Sequence, residues 1–284
     1  MIHELPLERR TLHGRFSREL EPVVSVEPGD SVRFATPNAA WYLASGERFP
    51  EYDPDLDRGH ALAGPIEVRG AEAGATLVVR VDEVRPASWG FTFAAPDHEV
   101  RWELDGENGR AAGRTVRLAP FLGVLGMPPP DPGFHSTGPP RRSGGNIDCK
   151  ELVAGTTLYL PIPVDGALFS AGDGHAAQGD GEISGTAIEC AVEAQVTLDL
   201  DRELRLDWPI ARVDGAWLTF GFDEHLGRAA KIAADGMREL MRRELGLSAG
   251  DALALASVVV DLRVTQVVNG NVGVHAVLRD DALE

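Results

Sequence analysis

The longest regular pattern in the chain is an alternation. Thr186, Ile188, Cys190, Val192, Ala194, Val196, Leu198 and Leu200 occupy one parity, and Glu189, Glu193, Gln195, Thr197, Asp199 and Asp201 the other. A period of two sustained that long predicts a half-buried β-strand. Carried back to residue 182, it places Glu182 on the inward parity. A carboxylate there is costly unless it is paired, hydrogen-bonded or bound to a metal. A second alternation, Leu158, Leu160, Ile162 and Val164, runs into Asp165-Gly166. That dipeptide signals a hairpin returning along 167–171, with residues 172–182 as a loop at its end.

Shorter strands surround turns earlier in the chain. Residues 23–26 and 31–34 flank Glu27-Pro28-Gly29-Asp30, and 64–68 and 76–81 flank Ala73-Gly74. They read as two similar hairpin-like units, without amounting to a repeat. Between them, residues 39–63 have no period and read as a long loop, which is often functional inside a compact domain. Residues 85–143 look irregular, with strand fragments marked by Trp89, Phe91, Phe93 and Trp102. The proline-rich 127–133 run cannot be helix or central strand and reads as an ordered loop at the mouth of a site.

The period then changes. Leu226, Ala230, Ala233, Met237, Leu240 and Met241 line one face of a helix over 223–245, capped by Asp223 and stopped by Gly246. Ser248 and Asp251 form a capping pair for a second short helix. Strands at 258–268 and 272–278 flank Asn269-Gly270. The fold expected is mainly β with a smaller α/β element: sandwich-like or barrel-like portions plus a helical segment near 223–257. An organisation into 1–143 and 144–284 follows, the two parts able to form one compact unit.

Composition narrows the function. The 284 residues are 43% hydrophobic and 25% charged, as in a globular protein, with a net charge of −17. Such acidity repels phosphate backbones and anionic membrane surfaces, so neither nucleic acid nor membrane is an expected partner. No run has the length of a transmembrane helix, and MIHELPLERRTLHG is not an apolar signal segment. The expected location is the cytoplasm. Cys149 and Cys190 are too few for a disulfide framework and read as buried free thiols; a nucleophilic Cys149 is the sharper alternative.

Candidate chemistry gathers in 144–189, where Asn146, Asp148, Lys150, Asp173, His175, Gln178, Asp180 and Glu182 lie among many glycines. An extended segment puts Asp173 and His175 on one face, and Asp148 comes from a different strand end. Taken alone, these residues fit polar β-turns as well as a metal site. There is no G-x-S-x-G elbow and no phosphate loop.

The same stretch resembles the signature of the acetamidase/formamidase family. The match runs through Gly144-Gly145-Asn146 to Asp148, Lys150-Glu151-Leu152, Gly155-Thr156-Thr157-Leu158, Gly172-Asp173-Gly174-His175 and Gln178-Gly179-Asp180-Gly181-Glu182. Echoes occur at Leu12-His13-Gly14, Pro28-Gly29-Asp30, Gly64-Pro65, Pro120-Phe121-Leu122-Gly123 and 261–266. The resemblance implies hydrolysis of a small aliphatic amide such as formamide or acetamide, and it favours the metal reading. Asp148, Asp173 and His175 are then the expected ligands of a divalent metal, zinc first and calcium second. Glu182 is expected to move protons, and Asn146 and Gln178 to hold the amide. His60, just before Gly64-Pro65, either lines the site or is an exposed loop histidine. A homo-oligomer, in the first instance a dimer, is expected. The competing class is a non-catalytic β-sandwich module that binds a small ligand or calcium.

Overall fold

The computed structural model describes residues 1–55, 57–94 and 97–283. Residues 56, 95 and 96, inside the two segments read as irregular, lie outside the described residues. Among the described residues the protein is mainly β, with two sheets of nine and eleven strands and two α-helices, α1 (Leu226–Leu245) and α2 (Ala249–Val259). The main core lies between the sheets. Val32, Phe34, Leu77, Val79 and Leu158 contribute from the nine-stranded sheet, and Ile66, Leu122, Leu125, Phe169 and Ala171 from the other.

The turns that looked like hairpins mostly carry the chain from one sheet to the other. Val24–Val26 lies in the eleven-stranded sheet and Asp30–Thr36 in the nine-stranded one. Leu62–Val68 and Thr76–Pro86 divide in the same way. The first strands of these two units pair in parallel, Val24 opposite Ile66 and Val26 opposite Val68. The Asp165-Gly166 turn does likewise. Thr157–Pro161 pairs with Thr76–Pro86 and Ile210–Val213, while Phe169–His175 joins Phe121–Gly126, Leu62–Val68 and Glu189–Cys190 in the other sheet. Local turn chemistry closes the bend, but the apolar faces of the two strands find partners in different sheets.

Two further expectations are corrected. The 186–200 alternation is two strands, Glu189–Cys190 and Val192–Asp201, because the chain changes sheet at Ala191. Residues 89–117, read as irregular, form an antiparallel meander of Trp89–Phe93, Glu99–Leu104, Asn108–Ala111 and Arg114–Arg117. Phe91 is buried there, but Phe93 is exposed. Phe121–Gly126 follows as a strand buried at every position.

The C-terminal part follows its local signals closely. α1 packs on Ala216–Asp223 and Val272–Arg279 through Ala229, Ala233, Met237, Leu240 and Met241. Its N-cap is His225 rather than Asp223, which lies two residues before it and accepts the His225 N–H through Oδ1 at 2.8 Å. Gly246 ends it in the left-handed region, and Ser248 caps α2 by accepting from Asp251 N–H. Helix and sheet approach so closely that a Cβ on Gly221 would lie 2.1 Å from the Ala229 carbonyl oxygen. Asn269 and Gly270, both at positive φ, turn Val260–Gln266 into Val272–Arg279. Among the described residues, no helix is long and apolar enough to cross a membrane.

Candidate active site

Phe169–His175 forms the floor of the site. The segment 172–175, expected as loop, is the end of this strand, and Asp173 and His175 both project into one buried space. His175 Nε2 lies 3.4 Å from Asp173 Oδ2. The neighbouring antiparallel strand places Glu189 opposite His175, with its Oε1 3.3 Å from Nε2. Glu189 was missed in the sequence because the alternation assigned it to the polar, outward parity. That parity loses its meaning when the strand changes sheet two residues later.

Asp148 arrives from the turn after Gly144–Asn146. Its N–H and that of Ile147 both donate to the Gly123 carbonyl, at 3.2 and 2.9 Å. Glu182 sits in a turn rather than a strand. Gly181 anchors that turn, donating its N–H to the Thr265 carbonyl and accepting from Val267 N–H. Its burial was foreseen, but the cause is this docking rather than strand alternation. Asp148, Asp173 and Glu182 all have left-handed backbones, φ 52, 61 and 42. Each such non-glycine conformation costs on the order of 1 kcal/mol or more, and strain of this kind concentrates at functional sites.

The result is four carboxylates and one imidazole, none more than 6% exposed. Ligand atoms of Asp173, His175 and Glu189 lie within 4.8 Å of one another, and so do those of Asp148, His175 and Glu182. Gly123 makes room for this convergence. A Cβ there would stand 2.5 Å from Asp173 Oδ2, 2.7 Å from Asp148 Oδ1 and 2.9 Å from His175 Cε1.

Gln178 braces the site. Its Oε1 lies 2.9 Å from His175 Nδ1, and its Nε2 donates to the Asp148 carbonyl at 2.7 Å. With Nδ1 paired to Gln178, His175 Nε2 faces Asp173 and Glu189. Asn269 Nδ2 donates to Asp148 Oδ2 at 3.0 Å. Asn146 is buried with an unpartnered Oδ1. His60 does reach the site: Nδ1 pairs with Thr137 Oγ1 at 2.9 Å, and Nε2 lies 3.9 Å from Asp173 Oδ2. Lys150 points elsewhere and bridges to Asp180 at 2.9 Å. The two cysteines are buried free thiols.

Electrostatics divide the carboxylates. Burial opposes ionisation of Asp173, but His60 and His175 outweigh it and hold the group well below the usual carboxylate range. Burial alone would push His175 down, whereas Glu189 and Asp173 hold it well above its ordinary value. Burial, reinforced by the charge of Glu182, pushes Asp148 well up. Glu182 is raised to about 7, chiefly by burial, with His175 opposing and Glu189 and Asp173 adding to it.

Among the described residues, Asp148 Oδ1, Asp173 Oδ1, Glu182 Oε2 and Glu189 Oε2 are buried without a hydrogen-bond partner. Buried anionic oxygens left in that state are expensive, and a divalent cation relieves the cost. The donor set, one imidazole with carboxylates and no sulfur, fits zinc. Calcium would prefer an all-oxygen shell. Two surface cavities border residues of the site, one of about 270 Å³ lined by Trp41, Tyr52, His60 and Thr137, the other of about 450 Å³ lined by Gln178, Glu182 and Ile183. The cavity of about 420 Å³ beside α1, between Trp208, Phe220 and Leu240, contains none of these residues.

Residues 3–101 and 134–216 match the Acetamidase/Formamidase family. The chain is 28% identical to the formamidase of Methylophilus methylotrophus, over 61% of this chain and 60% of that protein. It spans about three-fifths of the length of the curated relatives it matches. Among solved structures it is similar to an acetamidase from Bacillus halodurans, with a TM-score of 0.86 and 28% identity over 98% of this chain and 97% of that one. An acetamidase from Yersinia enterocolitica gives a TM-score of 0.90 and 26% identity over 100% and 93%.

Proposed function

Since this chain belongs to the acetamidase/formamidase family, we propose that it hydrolyses a small aliphatic amide of the formamide or acetamide type. One water is consumed, and the carboxylate and ammonia are released. The observation that carries this reading is the convergence of four buried carboxylates on His175, each with one oxygen left without a hydrogen-bond partner among the described residues.

Amide hydrolysis requires an activated water, a stabilised oxyanion and a proton for the leaving amine. Asp173, His175 and Glu189 would hold a divalent metal, zinc by its donor set, which when bound acidifies water and polarises the amide carbonyl. Glu182, poised near neutrality, accepts the proton that water gives up and returns it to the amine nitrogen as the carbon–nitrogen bond breaks. Asp148, held by Asn269, stands beside Glu182, whose carboxyl is raised chiefly by burial. Asn146 Oδ1 has no hydrogen-bond partner among the described residues and accepts from the substrate N–H. Gln178, expected as a substrate contact, is committed to His175 and Asp148 and acts as a positioning residue.

The free buried thiols fit a reducing, cytoplasmic setting. A dimer built on the exposed Leu253, Val258 and Leu262 of α2 and the adjoining edge strand accompanies this reading, and sedimentation measures it. The test of the function is ammonia release from a panel of small amides, with chelator-treated and metal-reloaded protein. Folded, metal-loaded protein that releases no ammonia from any of them overturns the reading. Ligand binding without turnover moves the protein to the class of binding modules.

A further inference from the structure

A second cluster lies next to the first and plays no part in the proposed reaction. Cys149, the residue after Asp148, is fully buried, and its Sγ lies 3.2 Å from Glu151 Oε2. His275, on the Val272–Arg279 strand and also fully buried, brings Nε2 to 3.8 Å from the same oxygen. One ligand atom from each of the three falls within 4.8 Å of the others. His275 Nδ1 is occupied by Thr265 Oγ1 at 2.8 Å, whereas Nε2 is buried without a hydrogen-bond partner among the described residues. Glu151 Oε1 is held from outside by Arg263 Nη1 at 2.9 Å, leaving Oε2 turned inward.

We propose that Cys149, Glu151 and His275 form a second metal site, selective for zinc and distinct from the carboxylate-rich one. A buried imidazole nitrogen with nothing to bond is costly, and this one is directed at a thiol and a carboxylate. Donation of Nδ1–H to Thr265 leaves the Nε2 lone pair free for a metal, the second-shell arrangement that orients metal-binding histidines. Thiolate, carboxylate and neutral imidazole around a divalent ion make a complex of zero net charge, which suits a buried position. Binding releases the thiol proton to solvent. Sulfur, nitrogen and one oxygen select zinc over calcium or magnesium. The bond network would tie the 147–151 turn to the C-terminal strands. The site would thereby fix the backbone next to Asp148 without touching substrate.

Cobalt distinguishes the two sites, because only this one offers sulfur. Chelator-treated full-length protein titrated with Co²⁺ under reducing conditions should bind two equivalents. One of them should bring a near-ultraviolet thiolate-to-cobalt charge-transfer band that zinc abolishes. The band should vanish in Cys149→Ser and in His275→Ala and persist in Cys190→Ala, whose thiol instead faces the Gly174 carbonyl. Zinc should raise the thermal midpoint of the parent more than that of Cys149→Ser. Cobalt saturation of the folded parent without a thiolate band overturns the site, as does a band that survives Cys149→Ser.

Discussion

Glu189 Oε1 lies 3.3 Å from His175 Nε2 across a pair of antiparallel strands and also accepts the Ala187 N–H at 2.8 Å. This contact groups Glu189 with Asp173 and His175, while Asp148 groups with His175 and Glu182. Asp148 is left beside Glu182, where burial raises both carboxyls.

That division predicts different losses from different carboxylates. Glu189→Gln and His175→Ala should lose metal and activity together. Glu182→Gln should keep the metal, measured by elemental analysis, and lose roughly 10²–10⁴-fold in kcat, the scale of general acid–base catalysis. A fully active Glu182→Gln, or a Glu189→Gln protein holding its metal as tightly as the parent, would refute the assigned roles.

Gly123 should tolerate no side chain. Gly123→Ala puts a methyl group 2.5 Å from Asp173 Oδ2 and 2.7 Å from Asp148 Oδ1. Displacing catalytic groups by about 1 Å costs about 10²-fold, so kcat/KM should fall at least that far while circular dichroism keeps its β signature. Unchanged kinetics would show that the space above Gly123 is not used.

His13 gives the protein a pH-dependent stability. Its Nε2 is 2.9 Å from Ser170 Oγ, and burial lowers its pKa from 6.5 to about 4. Between those values the unfolded chain binds the proton and the folded one does not. The stability is therefore complete above pH 6.5 and is lost as pH falls towards 4, by at most about 3 kcal/mol. Urea unfolding at pH 7 and pH 5 should show a larger drop for the parent than for His13→Asn; equal drops would remove His13 as the cause.

Gly221→Ala should loosen α1 from its sheet. The added methyl meets the Ala229 carbonyl at 2.1 Å, and overpacking of this kind costs about 1–3 kcal/mol. The urea midpoint should drop by that equivalent, with activity per folded molecule retained, since α1 contributes nothing to the site. A midpoint equal to the parent's would mean that helix and strand separate freely.

Local chemistry along the chain determined much of the C-terminal part. The period of α1 from Ala233 onward, the Gly246 stop, the Ser248 cap and the Asn269-Gly270 turn each depend on a few neighbouring residues, and each is where the sequence put it, whereas Leu226, expected on the buried face, is exposed. The sequence also brought Asp148, Asp173, His175 and Glu182 forward as a group, and all four meet in one buried space. Only tertiary structure decided which sheet each strand joins. A period of two says that one face of a strand is buried but not against what, so Asp165-Gly166 looked like a hairpin and Glu189 looked solvent-facing. It likewise decided the positions of Gly123, which has no side chain to signal a site, and of His275, which is distant in sequence from Cys149 and Glu151. Their positions come from strands paired across the whole chain, and no local pattern encodes such pairings.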